Sequence, residues 1–303
     1  MNDVAAALLR SNLAASAAVL LVLALRPAAR RWFGAETAYV LWAAPPTAAV
    51  AILIPGRMAE EGVKAAPGLA FDHEITLMLL AVWLIGLAAA ALFLALGQAA
   101  FLRALKAGRA GPAVVGVICP RIVMPSSAEL YTSEERAVVR AHEREHIERG
   151  DPRARAVMAA FQCLFWFNPL AHLAAHLARL DQELACDAAV LRRRPGIRAL
   201  YARTLMKTQL AATPLPFGCY WPARGRHPLE TRVALLRAGG RTRGALGSVE
   251  VGVGILAAAV VAWMAQPPIP QPAPIAEPAG ETALLVYISR PGGSVRSDDR
   301  SGR

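Results

Sequence analysis

Charge is scarce in this chain. Charged residues make up 18% of 303 positions, while apolar residues reach 55% and the mean hydropathy is +0.38. A typical soluble domain carries about 25% charged residues. The scarcity argues against a single soluble domain, and the apolar excess excludes a disordered or collagen-like chain. Cysteine is also sparse: Cys119, Cys163, Cys186 and Cys219, with no C-x-x-C pair. In a chain this long and apolar they read as free thiols facing a reducing compartment rather than a disulfide scaffold. No basic residue precedes the first apolar run, which opens after Met1-Asn2-Asp3; Arg26, Arg30 and Arg31 follow it instead. That order is the reverse of a secretory signal. No helix-turn-helix or finger signature accompanies the net charge of +11, so direct nucleic-acid binding is not expected. Internal repeats are absent too.

What is present is hydrocarbon in blocks. A helix needs about 20 residues to cross a bilayer. Val4–Leu25, Thr37–Pro55, Ile75–Gly97 and the shorter Val249–Ala265 meet that need or approach it. The Pro45-Pro46 pair should kink the second, because proline removes helix hydrogen bonds. The basic loop Arg26–Glu36 belongs in the cytoplasm by the positive-inside rule. The loop Gly56–Glu74 holds Arg57 and Lys64 against Glu60, Glu61, Asp72 and Glu74, so it can lie outside. Gln98–Ser248 holds 23 basic against 11 acidic residues and should lie inside. The expectation is a mainly α protein in four parts. Residues 1–97 form a three-helix membrane region, and 98–248 a cytoplasmic α+β domain inserted between the third and fourth spans. Residues 249–265 form a fourth membrane helix, and 266–303 an extracytoplasmic proline-rich tail with one strand-like stretch, Ala283–Ile288. Both termini would then lie outside an inner, cytoplasmic membrane.

The large inner segment contains His142-Glu143-Arg144-Glu145-His146. On a helix, residues i and i+4 share a face, so both imidazoles can reach one ion. Glu143 then sits where it can take a proton from water at that ion, the H-E-x-x-H arrangement of zinc proteases, so 98–248 is expected to be a zincin-like metallopeptidase domain. The helical context is written locally. Thr132 and Glu135 fit a capping box, and Gly150 and Pro152 stand where a helix should stop. One zinc per chain needs a third protein ligand. Pro169–Leu191 reads as a helix beginning after Asn168, and it carries Glu183 and Asp187, again at i and i+4. Its flanks are apolar, so a paired acidic face needs a purpose. Glu183 as ligand, with Asp187 accepting a hydrogen bond from a ligand histidine, supplies one; a surface pair such as Arg179–Glu183 is the plainer alternative. His172 and His176 share the i, i+4 spacing but lack an adjacent acid. Cys186 is a conceivable soft ligand off the Glu183/Asp187 face. Ala113–Ile118 and Arg121–Met124 are β-branched runs that read as strands, one of which could offer an edge to an extended peptide. The clusters Arg192–Arg194 and Arg237–Arg243 suit inner-leaflet contacts.

Taken together, residues 1–265 resemble the BlaR/MecR-type integral-membrane metallopeptidases, the β-lactam-sensor signal-transducer family. The resemblance is carried by the order of spans around a zinc domain, by Pro120-Arg121-Ile122-Val123-Met124-Pro125 ahead of the H-E-x-x-H helix, and by Asn168-Pro169 followed by Asp181-Gln182-Glu183-Leu184-Ala185-Cys186-Asp187. The zinc domain is also similar to the HtpX/Ste24-type membrane proteases, in which an E-x-x-x-D pair supplies the third zinc ligand. The resemblance implies a role for the His227-Pro228-Leu229-Glu230-Thr231-Arg232 element, with His227 stabilising an oxyanion and Arg232 orienting nearby acids. A basic juxtamembrane patch is the equally weighted alternative. It further implies a zinc endopeptidase that cuts a cytoplasmic transcriptional repressor, and itself, in signal transduction. A quality-control or maturation protease and a non-catalytic signalling scaffold are the alternatives. The expected partners are a protein substrate and the lipid bilayer, with a homodimer left open. Sensors of this family also carry a penicillin-binding domain with a Ser-x-x-Lys nucleophile; this sequence contains no Ser-x-x-Lys, so acylation of this chain by a β-lactam is not expected.

Overall fold

The computed structural model describes residues 2–54, 72–108, 112–124, 131–211, 228–238 and 244–264. The proline-rich tail, the Ala283–Ile288 strand, His227, Cys219 and the side chains of the Arg237–Arg243 cluster lie outside the described residues, as does nearly all of the Gly56–Glu74 loop.

The described chain is mostly helical. Helix α1 runs over Asn2–Trp32 and passes through Pro27 into its basic last turn. The expected second span is broken into α2 (Ala35–Val40), a 3-10 turn over Leu41–Ala43, and α3 (Ala44–Leu53). Pro45 and Pro46 fall in the first turn of α3, where a missing N–H removes no helix bond. The prolines therefore restart a helix rather than bend one. Helix α4 (His73–Lys106) is the longest, and at about 1.5 Å per residue it reaches roughly 50 Å.

Among the described residues, two helices are long and apolar enough to cross a membrane, α1 over Val4–Trp32 and α4. Among the described residues, the apolar stretch of α10 (Gly244–Met264) includes Val249–Val260. Helix α4 leaves Met78, Ile85, Leu92 and Phe93 uncovered along its length. At Gly86 it takes a knob into a hole. A Cβ placed on Gly86 would lie 2.0 Å from the Trp166 ring. Around it, Trp166 Nε1 donates to the Trp83 carbonyl at 3.2 Å, and Trp83 Nε1 donates to the Leu164 carbonyl at 3.0 Å. Gly86→Val should expel the indole and cost about 1–3 kcal/mol through overpacking. A lowered thermal midpoint with red-shifted tryptophan emission is the expected readout.

The catalytic-side elements follow. Strands β1 (Ala113–Val115) and β2 (Arg121–Val123) pair antiparallel, with Val114 opposite Ile122. They are shorter than the β-branched runs, because Gly116 takes a positive φ of 101° and turns the chain. Both strands lie against α5 (Ser133–Glu148). Helix α6 (Asp151–Leu164) and the 25-residue α7 (Pro169–Arg193) come next, then α8 (Arg198–Ala211) and α9 (Pro228–Ala238).

Helix α7 joins the two regions. Near its start, Ala174 and Ala178 pack with Val19 and Val22 of α1 and with Trp42. Its N-cap Asn168 accepts from the Leu170 amide, while the Asn168 amide donates to Asn12 and Ser16 of α1. One turn beyond that apolar layer, fully buried Asp181 accepts from Arg26, Arg30 and Trp42 Nε1. At the far end, Val190 and Leu191 form a second core with Val138, Tyr201 and Leu205. Arg192 pairs with Glu36, and Arg193 with Glu145 and Glu148. Acids of α2 and α5 thus pair with both arginines, which stay partly exposed, Arg193 at 54%.

Candidate metal centre

The capping signals act as read. Thr132 accepts from the Glu135 amide at 3.2 Å and Glu135 accepts from the Thr132 amide at 2.9 Å, which fixes the start of α5. Gly150, with φ 72°, ends that helix in the left-handed region. The sharp turn brings Asp151 at the head of α6 back beside the histidine face of α5.

His142 and His146 therefore project side by side, their Nε2 atoms 3.1 Å apart. Helix α7 crosses α5 so that Glu183 meets both: Oε2 lies 3.4 Å from His142 Nε2 and Oε1 lies 3.6 Å from His146 Nε2. Ligand atoms about 2.0–2.1 Å from a tetrahedral zinc stand roughly 3.3 Å apart. Two imidazole nitrogens and a carboxylate at these separations fit such an ion, and the 23% exposure of the Glu183 side chain leaves an approach from solvent. Glu143 is buried on the same helix, one residue from His142.

The other ring nitrogens have partners of their own. His146 Nδ1 lies 2.6 Å from Asp151 Oδ2. His142 Nδ1 lies 2.7 Å from the Tyr201 hydroxyl, which donates to Asp187 Oδ1 at 2.6 Å. Asp187 itself is 3.5 Å from His142 Nδ1, so it reaches the ring through Tyr201 and not by the direct bond the spacing suggests. Arg232 of α9 grips both Asp187 oxygens at 2.7 and 2.8 Å and stands 3.3 Å from Glu183 Oε2. Glu183 is thus not a lone surface carboxylate, and Arg155 pairs with it at 3.0 Å. Cys186 Sγ lies 3.4 Å from His142 Nδ1 and could join the two histidines around an ion. However, it sits on the Nδ1 side, while both Nε2 atoms face Glu183. The histidine pair of α7 is otherwise occupied: His172 contacts the Trp166 carbonyl and Gln162, and His176 is exposed.

Asp151, Tyr201 and Arg155 escaped the sequence reading. Asp151 had a signal, a Gly-Asp-Pro turn directly after the histidine helix. Tyr201 and Arg155 had none, because their roles come from helices that meet only in the fold.

Electrostatics favour protons where an ion would sit. Burial opposes a charged His146, but the Glu183 carboxylate and the Asp151 bond outweigh it and hold its pKa well above the ordinary value. Burial likewise opposes a charged His142, but Cys186 and Glu183 together bring it up to about 10. Burial pushes Glu183 upward, yet His146 and Arg232 hold it well below the usual carboxylate range. A metal bound between them must displace protons that the site holds on the imidazoles. Zinc affinity should rise steadily between about pH 6 and 9. Calorimetry in buffers of different ionisation enthalpy should show that proton release; none released would contradict the arrangement.

The model of the BlaR1 peptidase M56 family matches residues 6–70 and 104–236, about two thirds of the chain. The chain is also similar to the regulatory protein BlaR1 of Bacillus licheniformis, 32% identical over 81 residues. That alignment covers 27% of this chain and 14% of the relative's length. With both parts of the histidine–acid site inside the second matched stretch, the chain belongs to the BlaR1 peptidase M56 family.

Proposed function

We propose that this protein is a membrane-embedded zinc endopeptidase that cuts a cytoplasmic protein, a transcriptional repressor, and also itself. The observation that carries the reading is the meeting of His142, His146 and Glu183 at 3.1–3.6 Å, with a buried glutamate beside the first histidine. Kinship with a relative named as a regulatory protein supports a signalling role.

In this reading His142, His146 and Glu183 hold one zinc. Bound there, the ion would supply a water with a pKa lowered towards about 7 and polarisation of a peptide carbonyl. Glu143 takes the proton of the attacking water and passes it to the leaving amine. Asp151 orients His146, while Arg232 and Asp187 steady the opposite side of the site. His227, five positions before Arg232 in the same short element, is proposed as the oxyanion donor on the family resemblance. A substrate strand adds beside the β1–β2 hairpin, where Val117 and Pro120 face Ile147, Gly150 and Pro152 across a groove.

The membrane arrangement proposed has four spans: α1, the α2–α3 segment, α4 and α10. Residues 98–248 then lie in the cytoplasm and residues 266–303 outside. The uncovered apolar flank of α4 and the basic excess of 98–248 support it. Proteomics of cells carrying the parent or the Glu143→Gln form tests the function. The reading expects one or a few cytoplasmic regulators cut only with the parent. Identical fragment patterns in the two strains would contradict it.

A further inference from the structure

Resting on the reading that His142 is a metal ligand, we propose that Tyr201 is a positioning residue for the site. Its hydroxyl, fixed by Asp187 and Arg232, accepts the Nδ1 proton of His142 and turns the Nε2 lone pair towards His146 and Glu183.

The argument is a count of donors. Arg232 donates from Nε and Nη2 to the two oxygens of buried Asp187, at 2.8 and 2.7 Å. An arginine-paired carboxylate is acceptor-only. The single phenolic proton of Tyr201 must then go to Asp187 Oδ1, 2.6 Å away. What remains on the tyrosine oxygen towards His142 is a lone pair. The 2.7 Å contact with His142 Nδ1 is a hydrogen bond only if that nitrogen carries the proton. A neutral imidazole with a proton on Nδ1 has its lone pair on Nε2, the atom that faces His146 and Glu183. The neighbouring Cys186 thiol does not replace this bond. At 3.4 Å it is a weak partner for the ring, and it stands as close to the His142 carbonyl.

The result is an asymmetric pair. His146 is held directly by a carboxylate, whereas His142 is held by a neutral phenol that relays a carboxylate one step away. The relay draws on four elements: Arg232 from α9, Asp187 from α7, Tyr201 from α8 and His142 from α5. The tyrosine is nearly fully buried in the apolar core beside Val138 and Val190, so its ring is fixed by packing. Loss of a partner at this distance from a metal typically weakens binding 10- to 100-fold.

The test uses the full-length chain in detergent, with zinc as the probe. Zinc dissociation constants are measured by chelator competition for the parent, Tyr201→Phe and His142→Ala. Phenylalanine keeps the core packing and removes only the hydroxyl. The expected result is a dissociation constant about 10- to 100-fold higher in Tyr201→Phe, with stoichiometric zinc in the parent and loss of zinc in His142→Ala. An unchanged constant in Tyr201→Phe, beside a zinc-binding parent and a zinc-free His142→Ala, would overturn this role and leave the peptidase reading intact. A parent that binds no zinc would overturn the reading beneath it as well. A second measurement needs no variant to fold. Nitrogen-15 histidine spectra of the zinc-loaded parent should show His142 with a proton on Nδ1 and the metal on Nε2; the opposite assignment would overturn the proposal.

Discussion

Replacing Glu143 by glutamine is expected to abolish peptide cleavage while zinc stays bound. The change keeps the size of the side chain and its place on α5, between His142 and the rest of the capped helix. It removes the one property the reaction draws on, a carboxylate able to take a proton from water and return it to an amine. General acid–base catalysis contributes about 100- to 10,000-fold, and a fall in kcat of that size is expected. The three proposed ligands are untouched, so zinc content and affinity should remain within a few-fold of the parent. Self-cleavage of the full-length chain gives the rate, and elemental analysis of the same preparation gives the metal. Cleavage at the parental rate would remove Glu143 from the reaction. Loss of zinc together with cleavage would make it a structural residue instead.

The second large effect lies away from the chemistry. Asp181→Ala should destabilise the protein by about 3–5 kcal/mol, because it strands charge in a buried place. The carboxylate accepts from Arg26, Arg30 and the Trp42 indole and has no exposure of its own. Its removal leaves two guanidinium groups between α1 and α7 without their anion. Removing the whole cluster is a different matter. A triple change of Arg26→Met, Arg30→Met and Asp181→Leu leaves no uncompensated charge, and it should recover most of the loss. Thermal unfolding of the three forms in detergent measures both. Because Asp181 stands two residues before Glu183 on one rigid helix, the single substitution should also weaken zinc binding, and the triple change should restore it. A single substitution as stable as the parent would show that α1 and α7 are held together without this ion cluster.

What could be read in advance followed from range. The H-E-x-x-H helix was legible because its cap, its stop and its ligand spacing all lie within twenty residues. The same holds for α7, whose start is set by Asn168 and Pro169. The Glu183 pairing was legible only as an inference from need, since an acidic pair on an apolar helix asks for a partner. Asp181 belongs to the same string but was passed over. Its partners are some 150 positions away and had been counted only as charges that set topology. The α2–α3 break was half visible: the prolines were plain, but whether they bend a helix or begin one depends on the 3-10 turn before them. Tyr201 was silent, for a lone tyrosine on a mixed helix reads as core, and by packing it is core. Only its hydroxyl is set to the site.

The most direct measurement is the metal itself. X-ray absorption and elemental analysis on the purified full-length parent should find one zinc per chain, bound by two imidazole nitrogens and at least one carboxylate oxygen. His146→Ala and Glu183→Ala should each lose it. A parent without zinc, a sulfur in its coordination sphere, or full zinc retained in the Glu183→Ala form would contradict the account.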